Sequence, residues 1–424
     1  MNNQQLLELL RSEVVPAIGC TEPIAVALCV ARAKERLGAE PDEITVYLSK
    51  NVYKNALAVG IPNTGMTGLP IAIALGATVG KSEYLLEVLR DATPEAVAYA
   101  KEYMLRVPAN IHIDYDAPSI LYIHAEVRKG EQMAQATIMD EHTHFVTSPI
   151  SLSEASNSEE SNSPQGLNLR RVYDFATSVD TSELAFLLEG AQMNTAAAET
   201  SFAEQYGHGL GRLLRANTLT ATPEMEKLFG NTLFTKIISY TCGACDARMS
   251  GAMVQVMSNS GSGNQGISCS IPVYLYAKEN NCDEERTLRA LALSNLTVIY
   301  IKQSLGRLSA LCGCVVAATG SAAGITYLMG GNYEEITYAI KNMIANISGM
   351  ICDGAKPGCA LKVTSGVATA IFSAYLAMQH SYADSTEGIV EDDIDRTIRN
   401  LTRIGHDGMK VTDDLILDIM THKQ

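Results

Sequence analysis

The sequence predicts an α+β protein that is mainly α: a large helical catalytic domain and a smaller α+β domain containing a mostly antiparallel sheet. Three observations lead there. Apolar alternation of period 2 fills residues 110–147, whereas helical periodicity dominates after Asp180. A stretch rich in Ser, Asn and Glu, SLSEASNSEESNSPQG, separates the two patterns at 151–166. Hydrophobic residues form 47% of the 424 residues but aromatics only 6%, with no Trp and 32 Gly, which favours closely packed helices over a β sandwich.

Residues 4–38 read as helix broken at PAIGCTEP (16–23), where Pro23 suits the first turn of a new helix over 24–37 and Thr21 its N-cap. DEITVYL (42–48) is alternating and β-branched, hence a strand. The segment 51–68 reads as a polar, Gly-rich connection, followed by helices at about 69–79 and 94–105. IHIDYD, SILYIHAEVRKG and QMAQATIMDEHTHFV form a meander, turning at Ala117-Pro118 and Lys129-Gly130. The expected organisation is therefore N-terminal helices (1–40) packing on the helical domain, a small α+β domain (41–150), a polar linker (151–180) and the helical domain (181–424).

Lys and Arg number 32 against 47 Asp and Glu, a net charge of −15 that argues against a nucleic-acid partner or an anionic membrane surface. It leaves room for a local cationic pocket holding a small carboxylate. Two uncharged runs, 308–333 and 363–383, are rich in Ala, Gly, Ser and Thr and read as buried helices rather than membrane spans. MNNQQLLELLRSEVVPAIG has no basic region ahead of an apolar one, so no signal peptide and a cytoplasmic location are expected. Ten cysteines in such a chain are core thiols, metal ligands or catalysts rather than a disulfide framework.

The strongest chemical signal is Cys352-Asp353-Gly354-Ala355-Lys356-Pro357-Gly358-Cys359, a loop able to wrap two sulfurs around one object. Upstream, LCGC offers Cys312 or Cys314 as a third thiol; in a helix the two point apart. Thr241-Cys242-Gly243-Ala244-Cys245 lacks the context of a redox couple or a zinc site and reads as structural. Cys29 and Cys282 read as ordinary, and Cys269 is undecided. The loop around Ser260, Gly263, Asn264 and Gln265 could cradle a carboxylate through its N–H groups and amides, or be a surface connector. Asn51, Lys54, Asn55 and Thr64 form a similar polar cluster, with Lys54 as the ammonium a substrate carboxylate needs or a solvated surface residue. His112, His124, His142 and His144 fall on the meander and read as surface residues; 142 and 144 form an HxH pair without a third metal ligand. His208 and His406 lie in loops as candidate acid–base groups.

Cys20 in AIGCTEP, the loop SNSGSGNQGI, LCGC and above all ISGMICDGAKPGCALK resemble the L-cysteine desulfidase family, which includes the YhaM-type proteins and is related to the α chain of iron–sulfur L-serine dehydratases. The resemblance runs over nearly the whole chain. It implies β-elimination without pyridoxal phosphate (PLP): L-cysteine to pyruvate, ammonia and sulfide, with a [4Fe–4S] cluster as Lewis acid. The cluster ligands fall on Cys312, Cys352 and Cys359, leaving one iron open, with Cys314 competing for the first position. Cys20 falls on the family's cysteine outside the cluster, a candidate acid–base group whose place at a helix N-terminus favours the thiolate. The chain ends MTHKQ, without the terminal cysteine with which bacterial serine dehydratases can fill their own site, and this moves the expectation toward cysteine. Serine as substrate within the same chemistry, or a non-catalytic small-molecule or redox-binding role on the same scaffold, are the alternatives. The expected partner is a small amino acid, with a homodimer possible.

Overall fold

The computed structural model describes residues 1–146, 167–216 and 223–423. It is 61% helix and 11% strand, an α+β fold that is mainly α. The strands are β1 (Pro16–Ile18), β2 (Glu43–Ser49), β3 (Asn110–Asp114), β4 (Tyr122–Lys129), β5 (Gln132–Met139), β6 (Phe145–Val146) and β7 (Gln255–Met257). Five of them form one sheet in the order β3-β2-β4-β5-β6, antiparallel except for the parallel β2-β3 pair. Val46 stands opposite Ala125, and Ala125 opposite Ala136. Alternation therefore buries Ile44, Val46, Leu48, Ile123, Ala125, Val127, Ala136 and Ile138 on a single face.

That apolar face has to be covered, and the helix Thr21–Leu37 covers it, packing on β4, β5 and the helix Leu69–Thr78. This corrects the expectation that both N-terminal helices join the helical body. Only Asn3–Glu13 does so, through Leu6, Leu7 and Leu10. Between the two helices, β1 pairs with β7 of the helical body, Ala17 opposite Val256. Cys20 follows at once, at the seam between the two packing units, and occupies the N-cap position expected for Thr21.

Two further expectations change. Residues 151–166 of the expected polar linker lie outside the described residues, and its remainder contains the helix Leu169–Ser178. There Leu169, Val172, Phe175 and Ala176 repeat at helical spacing and are buried in the core. The connection expected at 51–68 begins with the helix Lys50–Ala56, whose Val52 and Ala56 are buried.

The helical body is organised around Gly313–Leu328, which packs against Gly263–Glu279, Glu284–Leu305, Tyr333–Ile347 and Cys359–Met378. Small residues permit this crowding. At Gly320 a Cβ would stand 2.4 Å from the carbonyl oxygen of Ser294. Cys359–Met378 is long and apolar enough to cross a membrane by length and composition. Here Val363, Val367, Ala370 and Ala374 are buried against the body, and on the outer side Phe372 stacks on Phe234 at 5.6 Å.

If helix proximity sets the packing, Gly320→Ala overpacks the core at a cost of about 1–3 kcal/mol and lowers the apparent melting temperature by several degrees. Gly349, around which a Cβ would meet nothing within 4 Å, is the control. Differential scanning calorimetry should show Gly349→Ala melting with the wild type; equal melting of both variants would refute the close approach.

Candidate functional site

Four helices begin on one cavity of about 90 Å³, room for several water-sized molecules. They are Thr21–Leu37, Gly263–Glu279, Gly313–Leu328 and Cys359–Met378. Cys20 and Cys312 are the N-cap residues of two of them, and Cys359 is the first residue of a third. The first turn of a helix presents unpaired N–H groups and the positive end of the macrodipole. The cavity thus carries a positive bias before any side chain is counted.

Cys20, Cys312, Cys314, Cys352 and Cys359 all line this cavity. An antiparallel bridge between Leu311 and Ile351 holds the two cysteine-bearing segments together, with the Cys352 N–H donating to the Ala310 carbonyl at 2.7 Å. The Cys352–Cys359 loop is braced from outside the cavity: Asp353 pairs with both Lys356 and Lys362, which hold its carboxyl down at about 2 against the opposing effect of burial. The two lysines of the motif therefore shape the loop. Cys312 is the acidic thiol of the set. A hydrogen bond from the Cys314 thiol and the N–H groups of the helix start bring it down to about 6, outweighing burial. Cys314 is correspondingly raised, by Cys312 first and burial second. Burial, with the neighbouring thiols, pushes Cys359 up to about 11 and also raises Cys352.

Sequence reasoning missed four groups. Glu22, the second residue of the helix, is buried and accepts hydrogen bonds from the Cys20 thiol at 3.2 Å, Thr21 Oγ1 at 3.1 Å and Asn55 Nδ2 at 3.1 Å. Burial works against its charge, but His142 and these donors hold its carboxyl below the usual value. His142, expected on the surface, is buried with Nε2 3.9 Å from Glu22 Oε1, and burial lowers its pKa. His144 instead bonds the Met139 carbonyl through Nδ1. The third is Arg248, 1% exposed at the end of Leu233–Met249, whose Nη1 donates to Asn264 Oδ1 at 3.0 Å. Its only signal in the sequence is a charge at the end of an otherwise apolar run, CGACDARM. Lys302 adds a second buried cation, pushed down to about 8 by burial and by Arg307.

The expected thiolate at Cys20 is corrected. Its sulfur turns to the Glu22 carboxylate instead of capping the helix, and burial followed by Glu22 raises its pKa well above that of a free thiol. Of the expected polar residues, Asn55, Ser260, Asn264 and Gln265 line the cavity. Gly263 lies behind it, where a Cβ would stand 2.3 Å from Arg248 Nε, so only glycine lets the guanidinium lie against the helix start. Thr64 is used in its own turn, bonding the carbonyls of Ile61 and Met66. Lys54 is not a carboxylate receptor facing the cavity. Its ammonium is buried against Asp413 of the helix Lys410–Thr421 and donates to the Cys352 carbonyl at 3.4 Å; Asn51 bonds the same Asp413. His208 and His406 do not line the cavity. Cys242 and Cys245 are buried inside the helix Leu233–Met249 and free. Cys29 donates to the Ala136 carbonyl and Cys269 to Asn295 Oδ1, as buried thiols do.

The donor set fits an iron–sulfur cluster. Among the described residues no three His, Cys, Asp or Glu side chains gather closely enough for a single metal ion. A four-iron cluster is a larger object that takes thiolates from further apart, and Cys312 or Cys314, Cys352 and Cys359 are the lining thiols that could hold one. Helix N-termini and buried Lys302 supply the positive surroundings an anionic cluster requires.

Residues 83–418 match the serine dehydratase alpha chain family. The chain is 57% identical to a UPF0597 protein of Phocaeicola vulgatus, over 99% of this chain and 98% of that protein. It is 56% identical to a UPF0597 protein of Bacteroides thetaiotaomicron and 42% identical to one of Oleidesulfovibrio alaskensis, with the same two coverages.

Two measurements probe the site in iron-free protein. Ultraviolet thiolate absorption should rise at a pH below that of a free thiol, with Cys312 the group that ionises first. Cys314→Ala, which removes the donor that stabilises this thiolate, should move the midpoint upward. A flat profile between about pH 5 and 8 would refute an acidic thiol. Separately, Asp413→Ala strands the buried Lys54 ammonium and should cost about 3 kcal/mol or more. Asp414→Ala, which removes only the exposed partner of Lys50, should cost at most about 1 kcal/mol. Equal melting of the two variants would remove Lys54 from its bracing role.

Proposed function

This chain belongs to the serine dehydratase alpha chain family, which supports a lyase-like activity, and from that premise we propose that its cavity carries out β-elimination of L-cysteine, without PLP, to pyruvate, ammonia and sulfide. The observation that carries the reading is the meeting of three thiols, Cys312, Cys352 and Cys359, with a fourth, Cys20, that is hydrogen-bonded to a buried carboxylate. The first three would hold an iron–sulfur cluster, which when bound supplies a Lewis acid for the departing sulfur.

The chain's own residues handle the proton. As the Cys20 sulfur takes the α-proton of the amino acid, Glu22 accepts the proton that the thiol gives up in the same step, so that no free thiolate has to form beside the carboxylate. The α-carbon electron pair forms the new double bond as the C–S bond breaks, and sulfide leaves. The proton held by Glu22 is then available to that sulfide. The aminoacrylate left behind tautomerises to the imine, and water hydrolyses it to pyruvate and ammonia. Asn55 and Thr21 fix the Glu22 carboxylate in reach of the thiol. Burial of the whole group keeps bulk water from competing for the proton. The choice of cysteine rests on the resemblance of the motifs; L-serine, favoured by the description of the family, is the second reading and uses the same residues.

Anaerobically reconstituted protein should release pyruvate and sulfide in equal amounts from L-cysteine. Cys20→Ser should keep the visible absorption of the cluster and lose about 10²–10⁴-fold in turnover, whereas Cys352→Ser should lose both. Wild-type sulfide release by Cys20→Ser would exclude the thiol as base. A higher kcat/KM with L-serine would reassign the substrate and leave the residues in place.

A further inference from the structure

Away from the cavity, apolar surface gathers along one helix. Cys359–Met378 buries Val363, Val367, Ala370 and Ala374 against the body and leaves its other side to solvent. On that side Leu361 is 45% exposed, Phe372 58%, Tyr375 61% and Leu376 43%; Phe234, stacked on Phe372, adds a ring that is 38% exposed. Large apolar side chains carry about 200 Å² each, so these five show about 500 Å² in one strip, near the upper end of what a solitary protein leaves in contact with water.

Spacing, charge and area identify what covers the strip. Leu361, Ser365, Ala368, Phe372 and Tyr375 follow one another at alternating steps of four and three, the seam of two helices lying side by side. Residues 363–383 contain no Asp, Glu, Lys or Arg, in a chain of net charge −15. Two copies of such a chain repel each other over most of their surface, and on this face they meet without bringing like charges together. The charges at its borders are paired within the chain, Lys356 and Lys362 with Asp353 and Lys236 with Glu279. The order of residues is also self-complementary. When the helix is turned end for end about a two-fold axis at residues 366 and 367, Leu361 comes opposite Phe372 of the other copy. Ser365 comes opposite Ala368, and these small side chains let the backbones approach at the crossing. A stable pair buries about 800 Å² on each partner. The strip supplies the apolar centre, and Thr364, Thr369 and Gln379 beside it supply a polar rim.

We infer that the outer face of Cys359–Met378 is the interface on which two copies of this chain pair, with these helices antiparallel. The inference does not rest on the elimination reading, but it bears on the site. Cys359 is the first residue of the helix, and Ile351, 41% exposed next to Cys352, accepts a hydrogen bond from Lys362 through its carbonyl. The second copy therefore covers the outer side of the cysteine loop.

Analytical ultracentrifugation of the full chain tests the pairing. Wild type, at 45.6 kDa per chain, should sediment as two chains. Phe372→Glu and Leu361→Lys should each raise the dissociation constant about thirtyfold or more. Leu105→Glu, at an exposed position of the helix Pro94–Arg106, should change nothing. Mixing Phe372→Glu with Leu361→Lys should restore pairing. The two-fold axis then sets the new lysine against the new glutamate and keeps the native contact on the other side of the axis, which a misfolded variant cannot reproduce. Tyr375→Ser, at the most exposed position of the strip, should weaken pairing as well and keeps the test open if a charged variant fails to fold. A wild type that sediments as one chain overturns the inference, and so does a dimer that all three strip variants leave intact. Folded charged variants that do not pair on mixing overturn the antiparallel arrangement. Binding of wild type to neutral phosphatidylcholine vesicles that Phe372→Glu abolishes would assign the face to a lipid surface and overturn the inference too.

Discussion

Four helix N-termini directed at one cavity are the constraint on which the rest of the structure depends. The starts of Thr21–Leu37, Gly263–Glu279, Gly313–Leu328 and Cys359–Met378 bring their free N–H groups together in a space that a protein core would normally avoid. Holding them there requires very close packing behind the cavity. The Gly- and Ala-rich helix Gly313–Leu328 answers this need, since larger side chains would push the helix starts apart. The same positive bias makes the cavity suited to anions, whether thiolates, a cluster or a carboxylate. Within it Cys312 is an acidic thiol, while Cys20, one short bond away from Glu22, is a proton-bearing one.

The two packing units contribute different chemistry. Cys20 and Glu22 belong to the helix that covers the sheet, Asn55 to the next short helix, and His142 to the turn before β6. Arg248, the Gly-rich loop and the remaining cavity thiols come from the helical body. Cys20, Glu22, Asn55 and His142 thus approach from one side, and Arg248 and the remaining thiols from the other. The β1-β7 pair, which ties the Cys20 segment to the strand just ahead of the Gly-rich loop, fixes their relative position. On the far side the Lys54–Asp413 pair does the same for the Cys352 loop and the helix Lys410–Thr421.

Much of this was legible in the residues. Period 2 at 110–147 marks strands because alternate side chains face one core, and β3 to β6 lie there. The cysteine loops announce themselves because Gly and Pro exclude helix between the thiols. What periodicity cannot state is the partner. The apolar face of Thr21–Leu37 was visible, but the choice between sheet and helical body depends on contacts about 100 residues away. Lys54 looked like a ligand-binding cation because its neighbours are polar; its real partner, Asp413, is 359 residues distant. Arg248 was hidden for the opposite reason: a single charge ending an apolar helix gives no local sign that the fold buries it against Asn264, with no carboxylate partner among the described residues.

The central proposal is that the thiols of Cys312, Cys352 and Cys359 would hold an iron–sulfur cluster in the cavity that Cys20 also lines. Mössbauer spectroscopy of anaerobically reconstituted protein, before and after addition of L-cysteine, tests it most directly. The account predicts a four-iron cluster in which a single iron subsite changes its signal when the amino acid is added. A spectrum with no such cluster, or one that L-cysteine leaves unchanged, would contradict it.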